Sequence, residues 1–347
     1  MNVLSLFNGM STGHTALDNV GIKVDKYYSS EIKPAAIKLT QHHYPDTMQL
    51  GDVTKWKEWD IDWKEIDMVL SGSPCQDLSI AGKRKGLEGE RSGLFLVFVD
   101  ILNHIKKLNP NVLFLQENVG SAPKKDVGIM SRALGVYPVR INSKLVTAQL
   151  RDRYYWTNIK TRQDGLFGEL VSDIPQPKDK KIMFKDILTN GHCEKEKHHC
   201  LMERYIAANT NKNDEYFNGF QEYIKNRPAG MATLIYVANN EVRLKTGTKK
   251  GYIVATENDA INLSYPNDLK RRGRVINEKS PTLMEASNNI YSLKNYKIRL
   301  VNKVEMCRLQ GFPDNWCDIL SYRQAGSLLG DGWTLPIIEH IFSFIKR

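Results

Sequence analysis

The feature that most constrains the fold is a recurring order: a short apolar run, a turn, then a stretch with helical apolar spacing. Val3-Leu4-Ser5-Leu6-Phe7 reads as a buried strand, followed by a glycine-containing turn and a helix through Leu17. Tyr27-Tyr28-Ser29-Ser30-Glu31 reads as the end of a second strand, and Met68-Val69-Leu70-Ser71-Gly72 as a third run closing in a turn. Gly93 to Lys107 places Leu94, Phe98, Ile101 and Ile105 at helical spacing and stops before Asn109-Pro110. Val112-Leu113-Phe114-Leu115 is another short buried strand. Strand, turn and helix in alternation predict a parallel α/β sheet. Ligands of such sheets bind at the carboxyl ends of the strands. The positions to watch are therefore Asn8-Gly9, Glu31, Pro74-Cys75 and Glu117-Asn118.

The alternation fades after about residue 160. Asp173 to Lys181 is polar and contains Pro175 and Pro177, as a linker would. From Asn190 to Tyr296 turn residues multiply and short β-like runs appear, such as Ala232 to Val237. This stretch predicts a smaller, irregular, β-rich domain. Helical patterning returns in the last segment.

Lys and Arg number 49 against 39 Asp and Glu, a net charge of +10. Such an excess suits a polyanion partner, and equally a basic soluble protein without one. No apolar run approaches the roughly 20 residues that span a bilayer, and the first residues lack the pattern of a signal peptide. A cytoplasmic protein with no membrane partner is expected. The 5 cysteines are odd in number and widely spaced, which gives no disulfide framework and points to a reduced compartment.

Candidate site residues follow the strand ends. Phe7-Asn8-Gly9-Met10-Ser11-Thr12-Gly13 follows a strand and opens a helix, where glycines let the backbone approach a ligand. Its spacing is not that of a dinucleotide fingerprint. Glu31 is placed to accept bonds from ribose hydroxyls, and Asp52 in Gly51-Asp52-Val53 to meet an adenine edge. Cys75, after Ser73-Pro74 and before Gln76, sits at a strand end, a poor place to bury a small hydrophobe and a good one to expose a nucleophile. Ala81 to Gly86 is a basic, glycine-containing stretch suited to closing over a phosphate backbone. Glu117 can hydrogen-bond a ring nitrogen. Gln149-Leu150-Arg151-Asp152-Arg153 puts both arginines on one face of an extended segment, for a carbonyl oxygen and nearby phosphates or for surface salt bridges. His192, Cys193, His198, His199 and Cys200 are metal-ligand types, but their spacing fits no paired zinc pattern, and no metal is expected.

Taken together these residues resemble the cytosine-5 DNA methyltransferase family. The matching motifs run in order: Phe7 to Gly13, Glu31, Asp52, Pro74-Cys75-Gln76, Glu117-Asn118-Val119 and Gln149-x-Arg151-x-Arg153. Later come Ser280-Pro281-Thr282-Leu283 and Arg308 to Pro313. The resemblance implies an S-adenosylmethionine-dependent, Rossmann-like methyltransferase sheet, with a recognition domain inserted at 190–296. The catalytic domain is then 1–189 plus 297–347. It further implies Cys75 as nucleophile at cytosine C6, Glu117 at N3, Arg153 at O2 and Arg151 in support. Phe7, Gly9, Thr12, Gly13, Glu31, Ile32, Asp52, Val53, Pro74, Leu94 and Trp333 would form the cofactor site. Double-stranded DNA would meet Gln76, Ser79, Lys83, Arg84, Lys85, Arg91 and Gln149, with Arg243, Lys245, Arg272 and Arg274 from the recognition domain. A monomer suffices for such a site.

The chain departs from the family where a Gly-Asn-Ser is usual. It reads Leu329-Gly330-Asp331-Gly332-Trp333-Thr334-Leu335-Pro336, similar to the animal de novo enzymes in its Trp. Three other functions compete: a transfer-RNA methyltransferase on the same core, a catalytically dead regulator, and a folate-using nucleotide methylase.

Overall fold

In a strand, successive side chains reach opposite faces, so a strand apolar at every position must be covered on both. The central strands come close to that condition. In the computed structural model, β1 (Asn2–Leu6) sends Val3 into one apolar cluster and Leu4 and Leu6 into another. β4 (Met68–Ser71) does the same, with Met68 and Leu70 on the first face and Val69 on the second. The structure describes residues 1–73, 93–165, 168–190, 193, 196–201 and 301–346, and the backbone of short strands between 235 and 299.

One sheet organises these residues, in the order β3-β2-β1-β4-β5-β8-β6. β2 (Lys26–Ser30), β3 (Met48–Gln49) and β5 (Leu113–Val119) run parallel to β1 and β4 within it. β8 (Asp152–Thr157) is antiparallel to β5 and to β6 (Val139–Asn142). The strand order reverses beside β1, so a crevice opens at the carboxyl ends of β1 and β4.

Helices close both faces. α1 (Thr12–Asn19) contributes Ala16 and Leu17 to the first face, and α3 (Gly93–Leu108) contributes Phe95, Phe98, Ile101 and Ile105 to the second. α2 (Pro34–His43) and α4 (Lys124–Leu134) complete the sheet's first half. The last segment forms α5 (Lys303–Gln310), α6 (Tyr322–Asp331) and α7 (Leu335–Phe342). Ile337, Ile338 and Ile341 of α7 join the first-face cluster with Leu17 of α1, so the end of the chain covers its beginning.

Thr189 and Asn302, far apart in sequence, touch. Asn302 Nδ2 donates to Thr189 Oγ1 (2.7 Å), and Thr189 N donates to the Glu305 carboxylate (2.8 Å). Glu305 is wholly buried and also closes a capping box with Asn302 at the start of α5. Between these points lie β11 (His198–His199), paired with β7 (Gln149–Leu150), and seven short strands. These are β12 (Ile235–Val237), β13 (Val242–Lys245), β14 (Tyr252–Ala255), β15 (Ala260–Asn262), β16 (Val275–Ile276), β17 (Ile290–Ser292) and β18 (Lys297–Arg299). All pair antiparallel in small sheets. Among the described residues no helix is long and apolar enough to cross a membrane.

One expected boundary shifts. The apolar run predicts a strand ending near Leu115, but β5 continues to Val119 because β8 pairs with it from Leu115 to Val119. Glu117 therefore stands within a strand, paired with Tyr155 of β8 and one residue past the last pair with β4, and not in a loop beyond one.

Candidate active site

A cavity of about 320 Å³ opens at the carboxyl ends of β1 and β4, within the usual range for small-molecule sites. Its walls bring together residues from opposite ends of the chain. Phe7, Gly9, Thr12, Gly13, Glu31, Ile32, Asp52, Val53, Leu94 and Trp333 all line it, and so do Glu117, Arg151 and Arg153.

The turn after β1 is built from backbone conformation. Phe7, Gly9 and Ser11 adopt left-handed φ values of 57°, 57° and 59°. For each non-glycine residue that costs about 1–3 kcal/mol, so neighbours must hold the turn in place. Asn8 does much of this: its Nδ2 donates to Ser11 Oγ (2.8 Å) and Thr40 Oγ1 (3.2 Å), and its Oδ1 accepts from Tyr27 OH (3.1 Å). Burial pushes the Tyr27 phenol pKa up and keeps it a donor. Gly13 has no room for a side chain, since a Cβ there would stand 2.3 Å from Leu70 Cδ1.

Glu31 fixes the next wall. One carboxylate oxygen accepts from Gly9 N (2.8 Å), and the other from Ile32 N (2.8 Å) and Lys33 N (2.9 Å). Ile32 is 70% exposed although apolar, and presents a flat platform inside the cavity. Asp52 caps a 3-10 turn, accepting from Thr54 N and Thr54 Oγ1 (2.9 Å each). Those hydrogen bonds hold its carboxyl below the usual pKa. Trp333 packs against Gly72, where a Cβ would come within 2.8 Å of the indole Nε1.

The opposite wall is built from side chains. Arg153 Nε pairs with Glu117 Oε1 at 2.7 Å, both side chains being largely buried. Arg151 is 2% exposed. Its Nη1 donates to Gly330 O (2.9 Å) and its Nη2 to Gly332 O (2.7 Å), so it bolts the end of α6 to the strand that carries Arg153. Cys200 Sγ lies 3.1 Å from Arg151 Nη1 and 3.8 Å from Arg153 Nη2. Burial opposes ionisation of this thiol, but the two guanidinium groups outweigh it and leave the pKa lowered.

Other expectations meet different surroundings. Gln149, expected on the DNA, is fully buried, and neither its Nε2 nor its Oε1 has a hydrogen-bond partner. The inward face of the Gln149-Arg151-Arg153 segment carries it away from solvent. Pro74, Cys75, Gln76, Ser79, Lys83, Arg84, Lys85, Arg91, Arg272 and Arg274 lie outside the described residues, as does His192. Arg243 and Lys245 fall on β13, of which only the backbone is described. Ser73 and Leu94, which bracket 74–92, both line the cavity. Among the described residues no cluster of metal-ligating side chains occurs.

Sequence reasoning missed Ser73, Gln116, Lys33 and Cys200. Gln116 Nε2 donates to Ser73 Oγ (3.0 Å) and anchors the exit of β4. A polar residue inside the apolar run before Glu117 was the available signal. Cys200 gave none, since only folding brings it beside the arginines.

The strand order, the glycine turn and an acidic group at the end of β2 define the methyltransferase class of α/β sheet. The chain belongs to the family of C-5 cytosine-specific DNA methylases, whose family model matches residues 1–347. Enzymes of that family depend on S-adenosylmethionine. The chain is 34% identical over 175 residues to the orphan methyltransferase M.Rho11sI of Bacillus phage rho11s, a match covering 46% of this chain and 33% of the phage protein. It is 25% identical over 349 residues to the type II methyltransferase M.HpaII of Haemophilus parainfluenzae, covering 97% of this chain and 86% of that one. In fold it is similar to the methyltransferase EhMeth of Entamoeba histolytica, with a TM-score of 0.54 at 15% identity, over 100% of this chain and 99% of that one. The chain thus spans about a third of the length of the phage relative it matches (33%).

Proposed function

We propose that this protein methylates C5 of a cytosine in duplex DNA, with Cys75 as covalent nucleophile and the cavity at β1 and β4 as the S-adenosylmethionine site. The observation that carries the reading is one cavity lined both by the glycine turn with Glu31 and by the Glu117–Arg153 pair. A methyl donor that carries an adenosyl group and an acceptor base would meet there.

The residues present suit the cofactor: a backbone turn free of side chains at Gly9, an oriented carboxylate at Glu31 and an apolar platform at Ile32. When bound, S-adenosylmethionine supplies an electrophilic methyl group to C5. The chain's own residues prepare C5 to receive it. The target base is rotated out of the stack, since its ring is inaccessible within a duplex. The Cys75 thiolate adds to C6, and the electron pair of the C5–C6 bond becomes available at C5. Glu117 meets the ring at N3, where charge develops. Arg153, held by Glu117, donates to O2, and Arg151 keeps Arg153's strand in register with the end of α6. Loss of the C5 proton then breaks the C6–S bond and returns the thiolate.

Residues 190–296 would select the sequence, reading base edges in the major groove. Their support is the closed junction of Thr189 with Asn302, which lets a recognition region be inserted without disturbing the sheet. The name of the Haemophilus relative as a type II methyltransferase supports a role in marking DNA against restriction. We further infer a cytoplasmic monomer, in keeping with thiols outside any disulfide at Cys200, Cys307 and Cys317.

The test is methyl transfer from labelled S-adenosylmethionine to unmethylated genomic DNA, with sequencing that reads 5-methylcytosine. Signal at C5 in one short motif is expected, and none with Cys75→Ser. Transfer to RNA or free nucleotide in preference to duplex DNA would overturn the substrate assignment.

A further inference from the structure

We propose that Lys33 and Asp331 form an ionic clasp across the mouth of the cofactor cavity and set the rate at which S-adenosylmethionine leaves. Lys33 Nζ lies 2.7 Å from Asp331 Oδ2, and both residues line the cavity. They are 298 positions apart in sequence, so the contact joins two walls that no local structure connects.

Each side of the clasp is anchored by its backbone. The N–H of Lys33 is held by Glu31 just before α2 begins. Asp331 ends α6, and the carbonyls on either side of it, at Gly330 and Gly332, are fixed by Arg151. Two anchored residues facing each other lose less freedom on pairing than two mobile ones. The pair is flanked by Ile32 on one wall and Trp333 on the other, both apolar groups that line the cavity. A ligand seated between them would pass the clasp on its way out.

Asp331 also occupies the position where the chain departs from the Gly-Asn-Ser of the family it resembles. Its carboxylate points to Lys33, a residue that makes sense of an acid there. The side chains are 51% and 53% exposed, so the pair acts at a solvent-facing rim. An exposed pair is worth roughly a 1.4- to fivefold change in rate, about 0.2–1 kcal/mol. They are also weakened by salt.

The inference rests on the reading of this cavity as the cofactor site, and the experiment separates the two. Dissociation of S-adenosylmethionine from the full-length protein is followed by stopped flow, with affinity from calorimetry, in low salt and in about 1 M salt, where screening acts within about 3 Å. In low salt Lys33→Ala and Asp331→Asn should each speed dissociation roughly 1.4- to fivefold. The double variant should be no faster than either single one, and the exchange Lys33→Asp with Asp331→Lys should restore slow release. In high salt the wild-type rate should rise to that of the variants. Unchanged or slower release from Asp331→Asn, or an exchange variant that fails to recover, would overturn the clasp. Ile32→Glu places a charge on the exposed platform without touching the core. If it binds S-adenosylmethionine normally, the cavity is not the cofactor site and the clasp falls with it. If it abolishes binding while Lys33→Ala releases at the wild-type rate, the clasp alone is wrong.

Discussion

The two walls of the cavity are made of different material. The wall after β1 and β2 is backbone: left-handed turns at Phe7, Gly9 and Ser11, and peptide N–H groups collected by Glu31. The wall from β5 and β8 is side chain: Glu117, Arg153 and Arg151, the two arginines bridged by Cys200. A backbone wall recognises a ligand by shape and stays the same when its charges are screened. A side-chain wall holds charges near the reacting ring, where poor solvation strengthens them, and fails if one partner is lost. The difference suits a site that binds one molecule and activates another.

The sharpest way to break that comparison is at Glu117. Glu117→Gln should lower turnover by about a hundredfold or more, while S-adenosylmethionine binding stays within a few-fold of wild type. Single-turnover kinetics with calorimetry would check both, and a proportionate loss of cofactor affinity would mean the walls are not separable.

Arg151 is next, because it joins them. Arg151→Met orphans the carbonyls of Gly330 and Gly332, each worth about 1–3 kcal/mol when buried without a donor. Thermal unfolding should show a clear loss of stability, and cofactor affinity and turnover should fall together. A stable variant that loses turnover alone would place Arg151 on the substrate.

At the exit of β4, Gly72→Ala should push Trp333 aside, since the new Cβ would meet Nε1 at 2.8 Å. Cofactor affinity should weaken about tenfold, a cost of about 1.4 kcal/mol. Combining it with Trp333→Leu should recover part of the loss, measured by calorimetry.

The smallest effect is expected at Asp52, whose cap is local. Asp52→Ala should cost about 1 kcal/mol of stability. The sign with pH follows from the lowered carboxyl pKa of Asp52. Its contribution is present above the unfolded value, 3.8, and is lost as pH falls through the folded pKa. Denaturation curves of wild type and variant should therefore differ at neutral pH and converge at acid pH.

Much of the backbone wall was legible in the chain itself. Val3 to Phe7 and Met68 to Gly72 are apolar but for Ser5 and Ser71, and α3 has clear helical spacing, because these patterns are local consequences of burial on both sheet faces. α4 was not read, since Lys124-Lys125-Asp126 opens it with charge and only Met130 and Leu134 are buried apolar anchors. The end of β5 was misjudged because Gln116, Glu117 and Asn118 are polar, and it is pairing with β8 that makes them a strand.

The residue order alone determined the α/β alternation, the glycine turn and the set of chemically equipped positions, since each is encoded within a few neighbours. Their assembly was decided by tertiary structure. Only the packing of α7 on α1 carries Trp333 to Gly72 and Asp331 to Lys33, and only the pairing of β8 with β5 seats Arg153 on Glu117. The buried fate of Gln149 and the nearness of Cys200 to two arginines were settled there too. Contacts across hundreds of residues depend on how sheets and helices stack, and stacking leaves no period in the sequence to read.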